Sequence, residues 1–204
     1  LDLNIQEEAE KILKEELEKI KDLDVSNGAV LITRPPTGEI LTMIGSVDYF
    51  ATASGTFNVT TALRQPGSSI KPLNYAVGLE RKLVTAATVF IDSPTCFVGG
   101  GQPKGYCPVN YDGKFHGPQA LRFSLGSSYN IPAVKMLAIN GVKDFVASSS
   151  AFGITTFKDP KNYGLSLTLG GGEVKMTEMA TAFSSFANRG VVKNLNSILK
   201  IEDK

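Results

Sequence analysis

Arg64-Gln65-Pro66-Gly67-Ser68-Ser69-Ile70-Lys71-Pro72 sets a hydroxyl and an amine three residues apart, where a Pro-Gly turn gives way to a helix. With Ser68 opening that helix, Ser68 and Lys71 share one face, one above the other. A serine hydroxyl is a weak nucleophile at neutral pH, and an adjacent base is one of the few ways to activate it. Lysine serves as that base only when burial or a nearby positive charge lowers its pKa. Pro72 fits the placement, because proline is tolerated in a first helical turn and not deeper. Ser69 lies two residues from Lys71 and points elsewhere, which leaves Ser68 as the candidate nucleophile. The competing reading of Ser68 is a helix N-cap, a common use of serine at such a position.

The helix continues through Tyr75, Ala76, Val77 and Leu79, an apolar run that belongs deep in a domain and would disfavour a charged Lys71. Upstream, residues 46–63 read as an irregular loop. Before it, Ala29-Val30-Leu31-Ile32-Thr33 and Glu39-Ile40-Leu41-Thr42-Met43-Ile44-Gly45 flank the turn Pro35-Pro36-Thr37-Gly38, which predicts a β-hairpin. Residues 4–23 predict an amphipathic helix with Asn4 as its cap and Glu7–Lys11, Glu10–Lys14 and Glu15–Lys19 as i,i+4 pairs.

Downstream, residues 92–118 are dominated by Pro, Gly, Asn and Asp, including Gly99-Gly100-Gly101, and read as one long loop. Helices are predicted over about 118–125, from Ile131-Pro132 through Leu137, over 142–151 with Gly153 as its stop, and over 177–188 with Gly190 as its stop. In the last of these, Met179, Ala180, Phe183 and Phe186 are expected to face inward. Between two of the helices, Ser128 and Asn130 bracket Tyr129. Ser128 has the hydroxyl to relay a proton and Asn130 the amide to bind one of a substrate, while Asn130 also reads as a plain N-cap ahead of Pro132. Gly170-Gly171-Gly172 lacks the Lys-Ser/Thr of a phosphate-binding loop and reads as a turn.

The 204 residues are 42% hydrophobic and 20% charged, enough for one domain with a core. Net charge is +1, which gives no reason to expect a nucleic acid partner or a membrane-surface patch. Residues 1–24 hold nine acids and four lysines, so the remainder is mildly basic. No run approaches the roughly eighteen apolar residues of a membrane span, and no signal-peptide pattern is present. The chain begins at Leu1, as an excised piece would. Cys96 and Cys107 have no third or fourth metal ligand beside them, with His116 the one histidine, so no metal site is expected. They read either as a disulfide outside the cytoplasm or as two free thiols.

Ser68-x-x-Lys71 followed by Ser128-x-Asn130 resembles the active-site pattern of penicillin-recognising serine enzymes. The flanking stretches Asn110-Tyr111-Asp112-Gly113-Lys114-Phe115-His116-Gly117, Asn130-Ile131-Pro132-Ala133-Val134, Leu169-Gly170-Gly171-Gly172-Glu173-Val174, Leu3-Asn4-Ile5-Gln6-Glu7 and Phe186-Ala187-Asn188-Arg189-Gly190 look like the transpeptidase domain of class A, bifunctional penicillin-binding proteins. The resemblance implies an α/β (α+β), β-lactamase/transpeptidase-like fold, a helical subdomain plus an antiparallel sheet, with residues 1–204 as one partial transpeptidase domain. It implies that Ser68 attacks the D-Ala-D-Ala carbonyl of a peptidoglycan stem peptide, that Lys71 takes its proton, that Ser128 passes a proton to the leaving amine, and that Asn130 orients the substrate amide. A neighbouring stem-peptide amine would then resolve the acyl-enzyme, and β-lactams would acylate Ser68 and stay. No cofactor is implied. The implied setting is the extracytoplasmic face of a bacterial membrane, with a glycosyltransferase domain and membrane anchor upstream. Related readings are a DD-carboxypeptidase or β-lactamase-like hydrolase and a non-catalytic penicillin-binding module.

One departure stands against the family pattern. Its third motif, Lys-Thr/Ser-Gly on a further strand, has no counterpart here, and Asn194–Lys204 resembles the segment just before it. Only the N-terminal hairpin reads as strand, so its sheet face and an edge are expected to lie open. Loss of one oxyanion donor alone slows such reactions about a hundred- to thousandfold, and the 204 residues by themselves are expected to be inactive without the missing C-terminal segment.

Overall fold

The computed structural model describes residues 1–50, 55–99 and 102–202, so residues 51–54 of the predicted loop and the pair Gly100-Gly101 lie outside the described residues. The chain divides into two compact units: Leu1–Arg64 with Phe152–Ile154 and Val174–Lys204, and Gln65–Ala151 with Thr155–Glu173.

In the first unit, helix α1 (Leu3–Lys19) is capped by Asp2 and not by Asn4, because the Asp2 carboxylate accepts the Ile5 N–H at 3.3 Å. The helix stops short of residue 23, and a 3-10 turn (Lys21–Leu23) follows. Glu10 accepts from Gln6, four residues earlier, and Lys19 pairs with Glu16 at i,i+3, so neither takes its predicted partner.

The predicted hairpin forms from β1 (Val30–Arg34) and β2 (Glu39–Ile44), antiparallel with an irregularity between Ile32 and Thr33. Its faces are not bare. Helix α1 lies along β2, where the Asp2 N–H donates to Leu41 O at 2.8 Å and the Met43 N–H donates to Gln6 Oε1 at 3.1 Å. Asn196 bridges to the start of β2. Helix α6 (Met176–Ala187) packs on β1. The inward face expected for this last helix is corrected at its phenylalanines, while Met179 and Ala180 are half-buried. Phe183 and Phe186 are exposed, and Thr181, Ala182, Ser184 and Ser185 are buried. Small side chains let the helix approach the hairpin closely, with the hydroxyls of Thr33 and Ser184 3.4 Å apart, while the phenyl rings pack on each other at 6.0 Å. A two-residue ladder, β3 (Leu63–Arg64) with β8 (Val174–Lys175), completes this unit.

The second unit is organised around α4 (Asn130–Asn140), in which Ile131, Pro132, Ala133, Val134, Met136, Leu137 and Asn140 are buried. A helix apolar on so many sides is a central one. Helices α2 (Lys71–Glu80), α3 (Leu121–Gly126) and α5 (Val142–Ala151) pack around it. Tyr75, Val84, Phe90, Leu121, Ala133 and Met136 form the core cluster, each large side chain contributing about 2 kcal/mol of burial. Gly78 is where α2 and α4 touch: a Cβ there would stand 2.5 Å from Met136 Cε. A buried polar spine joins the helices, since Asn140 Nδ2 donates to Asn74 O and Oδ1, and Asn74 Nδ2 donates to Ala133 O and Thr168 Oγ1.

Residues 92–118 are not the long loop expected, and the hairpin is not the only strand pair. β4 (Val89–Asp92) pairs with β7 (Gly117–Ala120), and β5 (Phe97–Gly99) with β6 (Gln102–Tyr106), all antiparallel. The predicted helix from Pro118 therefore begins as strand β7 and turns helical only at Leu121. Pro118 is tolerated because, among the described residues, β7 has a single strand partner. Cys96 and Cys107 form a disulfide across the base of the β5–β6 pair, which decides between the two readings left open by the sequence.

Candidate active site

Gly67, at φ +58°, begins a 3-10 turn (Gly67–Ile70) that runs into α2. The backbone can take this shape because Gly170, at φ +90°, lies against it: a Cβ on Gly170 would stand 2.3 Å from Gly67 N and 2.4 Å from Gly67 Cα. The Gly170–Gly172 stretch is thus a close-approach turn, as its lack of a phosphate motif indicated.

The turn separates the two serines. Ser69 Oγ donates to Pro66 O at 2.6 Å and is used up in the turn. Ser68 is exposed, caps nothing, and lines a cavity of about 440 Å³ with Asn110, Tyr111, Asp112, Ser127, Ser128, Tyr129 and Asn130. The N-cap reading of Ser68 is therefore set aside.

Lys71, one residue into α2, is 1% exposed. Its Nζ donates to Ser128 O at 2.5 Å, to Ser128 Oγ at 3.1 Å and to Asn130 Oδ1 at 2.7 Å, so all three ammonium protons have acceptors. It has no ion-pair partner among the described residues. Burial without a counter-charge pushes its pKa down from 10.5 to about 8. Of its three acceptors, only the Ser128 hydroxyl can reverse roles and donate to a neutral amine.

Ser128 is held in an unusual backbone. Helix α3 ends with Tyr129 N–H donating to Ser124 O and Ser128 N–H to Leu125 O, a Schellman turn that places Ser128 at the left-handed position with φ 55°. Glycine is the usual residue there, and a serine costs about 1 kcal/mol. That turn aims the Ser128 carbonyl and hydroxyl at Lys71. Asn130 is the first residue of α4 and not its N-cap, a position Tyr129 takes. Its amide accepts from Lys71 and donates to Val109 O at 2.8 Å.

Behind this segment lies a group of residues that the spacing argument missed. Asn110 Oδ1 accepts the Asn130 N–H at 2.7 Å, and Asn110 Nδ2 donates to the wholly buried Asp92 carboxylate and to Lys114 O. His116 donates its backbone N–H to Asp92 Oδ2 at 2.9 Å, its Nδ1 lies 2.8 Å from the same oxygen, and its ring stacks on Tyr129 at 4.2 Å. The Lys114 N–H and His116 hold the Asp112 carboxyl below the usual carboxylate range. Asn110 and His116 stood in a polar, turn-rich stretch that could have been flagged. Asp92 ends an ordinary strand and carried no signal.

Residues 28–204 match the family described as penicillin binding protein transpeptidase domain. The chain belongs to this family. Penicillin-binding protein 1A of Rickettsia bellii is 33% identical over 171 residues, which is 84% of this chain and 21% of that protein. The crystal structure of penicillin-binding protein 1A from Haemophilus influenzae, at 33% identity, superposes with a TM-score of 0.69 over 79% of this chain and 23% of its own. The transpeptidase domain of penicillin-binding protein 3 from Burkholderia pseudomallei shares the fold at a TM-score of 0.80 over the whole of this chain and 61% of that one, at 21% identity. The expected β-lactamase/transpeptidase-like mixed α/β class is thus the fold of this chain. The chain spans about a fifth of the length of the curated relatives it matches. No described helix of this transpeptidase-family chain is long and apolar enough to cross a membrane.

Proposed function

We propose that residues 1–204 form the acylating part of a serine DD-transpeptidase domain that cross-links peptidoglycan stem peptides. The observation that carries this reading is a buried lysine, bonded to Ser128 and Asn130, beside a cavity lined by Ser68, Ser128 and Asn130, with no counter-ion for the lysine and no hydrogen bond at the Ser68 hydroxyl among the described residues. In the first half-reaction, Ser68 Oγ forms a bond to the penultimate D-alanine carbonyl carbon, and the C–N bond to the terminal D-alanine breaks. The Ser68 proton passes to neutral Lys71, and the departing amine takes a proton from the Ser128 hydroxyl as Lys71 returns one to Ser128, 3.1 Å away. Asn130 orients the substrate amide. In the second half, an amine of a neighbouring stem peptide forms the new C–N bond, the Ser68 ester breaks, and the proton that the amine gives up passes through Ser128 and Lys71 to Ser68. β-Lactams carry an amide in the same position and acylate Ser68. The Cys96–Cys107 disulfide suits the extracytoplasmic face of a bacterial membrane, an oxidising setting.

The test uses the full-length protein, a D-Ala-D-Ala-ended stem peptide and a labelled amine acceptor. Transfer of the acyl group to the amine, with D-alanine released in step, is the expected result. Release of D-alanine with hydrolysis alone would make the protein a carboxypeptidase, and rapid turnover of a bound β-lactam would make it a hydrolase of that class.

A further inference from the structure

We propose that Asp92 is a positioning residue for acylation: its buried carboxylate sets Asn110 and His116 so that the Tyr129–Asn130 segment keeps Lys71 in place. The proposal rests on the roles assigned to Ser68 and Lys71 above.

Asp92 is 0% exposed and touches neither Ser68, Lys71 nor Ser128 by any hydrogen bond among the described residues. A carboxylate only accepts, so the amide of Asn110 has to turn its nitrogen toward Asp92, at 3.0 and 2.8 Å from the two oxygens. This fixes the Asn110 oxygen on the opposite side, where it accepts the Asn130 N–H at 2.7 Å. Asn130 Oδ1 in turn accepts from Lys71 Nζ. One arm thus runs from Asp92 through Asn110 and Asn130 to the lysine.

The second arm ends one residue earlier. Asp92 Oδ2 takes both the backbone N–H and the Nδ1 of His116, which sets the ring nearly parallel to Tyr129, with 15° between the planes. His116 Nε2 lies 3.1 Å from Asp112 Oδ2, so the ring is held at both edges. Tyr129 and Asn130 directly follow Ser128, whose left-handed backbone is unfavourable for a serine and relaxes if its neighbours are released. Two arms from one carboxylate therefore restrain the residues that present three acceptors to Lys71.

Asp92→Asn keeps the shape and removes the acceptor-only character, so the Asn110 amide is free to turn over. The measurement is saturable acylation of the full-length protein by a fluorescent penicillin, which separates the dissociation constant of the first complex from the first-order acylation constant. The expected result is a fall of about tenfold to a hundredfold in the acylation constant, as for any displacement of a catalytic group by an ångström. The dissociation constant should stay within about threefold of wild type. A merely structural role would lower the labelled fraction and leave the constant of the folded molecules unchanged, and that outcome overturns the proposal. So does an acylation constant equal to wild type. If Asp92→Asn does not accumulate, Asn110→Ala carries the same test, with the same fall in support and a wild-type constant against. Ser68→Ala is run in parallel. Retained labelling there refutes the nucleophile assignment itself, while lost labelling beside a wild-type Asp92→Asn refutes only the positioning role.

Discussion

Arginine in place of Lys71 is expected to slow acylation by a β-lactam about a thousandfold or more, although it keeps the positive charge. Arginine cannot give up its proton in a protein, so it cannot receive one from Ser68. Lys71→Met should be equally slow, because it fills the buried slot without any base. If the lysine acted only as a cation, arginine would retain most of the rate and methionine would not. The wild-type pH profile has a sign that follows from the same burial. With its pKa lowered to about 8, Lys71 is mostly protonated below that value, and its neutral fraction falls about tenfold per pH unit. The acylation constant should therefore rise about tenfold from pH 6 to 7 and level off above about 8. Stopped-flow acylation of the three proteins across this range checks both statements.

Alanine in place of Gly170 is expected to destabilise the protein by about 3–5 kcal/mol and to abolish labelling of what remains folded. Its Cβ would press into the Gly67 backbone at 2.3–2.9 Å, and φ +90° is closed to an L side chain. A flexible side chain could swing away, but a backbone cannot, so the turn that presents Ser68 would have to move. Gly126→Ala is the control. Nothing lies within 4 Å of its Cβ position, and it sits at the last turn of α3 without a positive φ, so a helical alanine should be neutral or slightly stabilising. Urea denaturation of both variants, with the labelled fraction measured alongside, gives the comparison.

The part of the site legible in the sequence is the part that is local. Ser68 and Lys71 are three residues apart, and that spacing at a helix start named the pair, although among the described residues the Lys71 Nζ hydrogen bonds go to Ser128 and Asn130 and not to Ser68. Ser128 and Asn130 are two apart on one connection, and the chemistry of a hydroxyl and an amide named them. What joins the pairs is tertiary: the hydrogen bonds from Lys71 span 57 and 59 positions of chain, and no periodicity encodes them. Asp92 was invisible for the same reason, since its partners lie 18 and 24 residues away. The short strands β5 to β7 were hidden by Gly and Pro, whose turn preference is real but yields to pairing in two-stranded ladders. In α6 the apolar pattern misled. Hydrophobicity favoured Phe183 and Phe186 for the inner face, whereas the tight contact with β1 selects Ala182, Ser184 and Ser185.

Acylation is expected on Ser68 and on no neighbouring hydroxyl. Peptide mapping by mass spectrometry of the full-length protein after exposure to a fluorescent penicillin tests it most directly. One adduct on Ser68, absent from Ser68→Ala, is the expected result. An adduct on Ser69 or Ser128, or none on a folded protein, would contradict it.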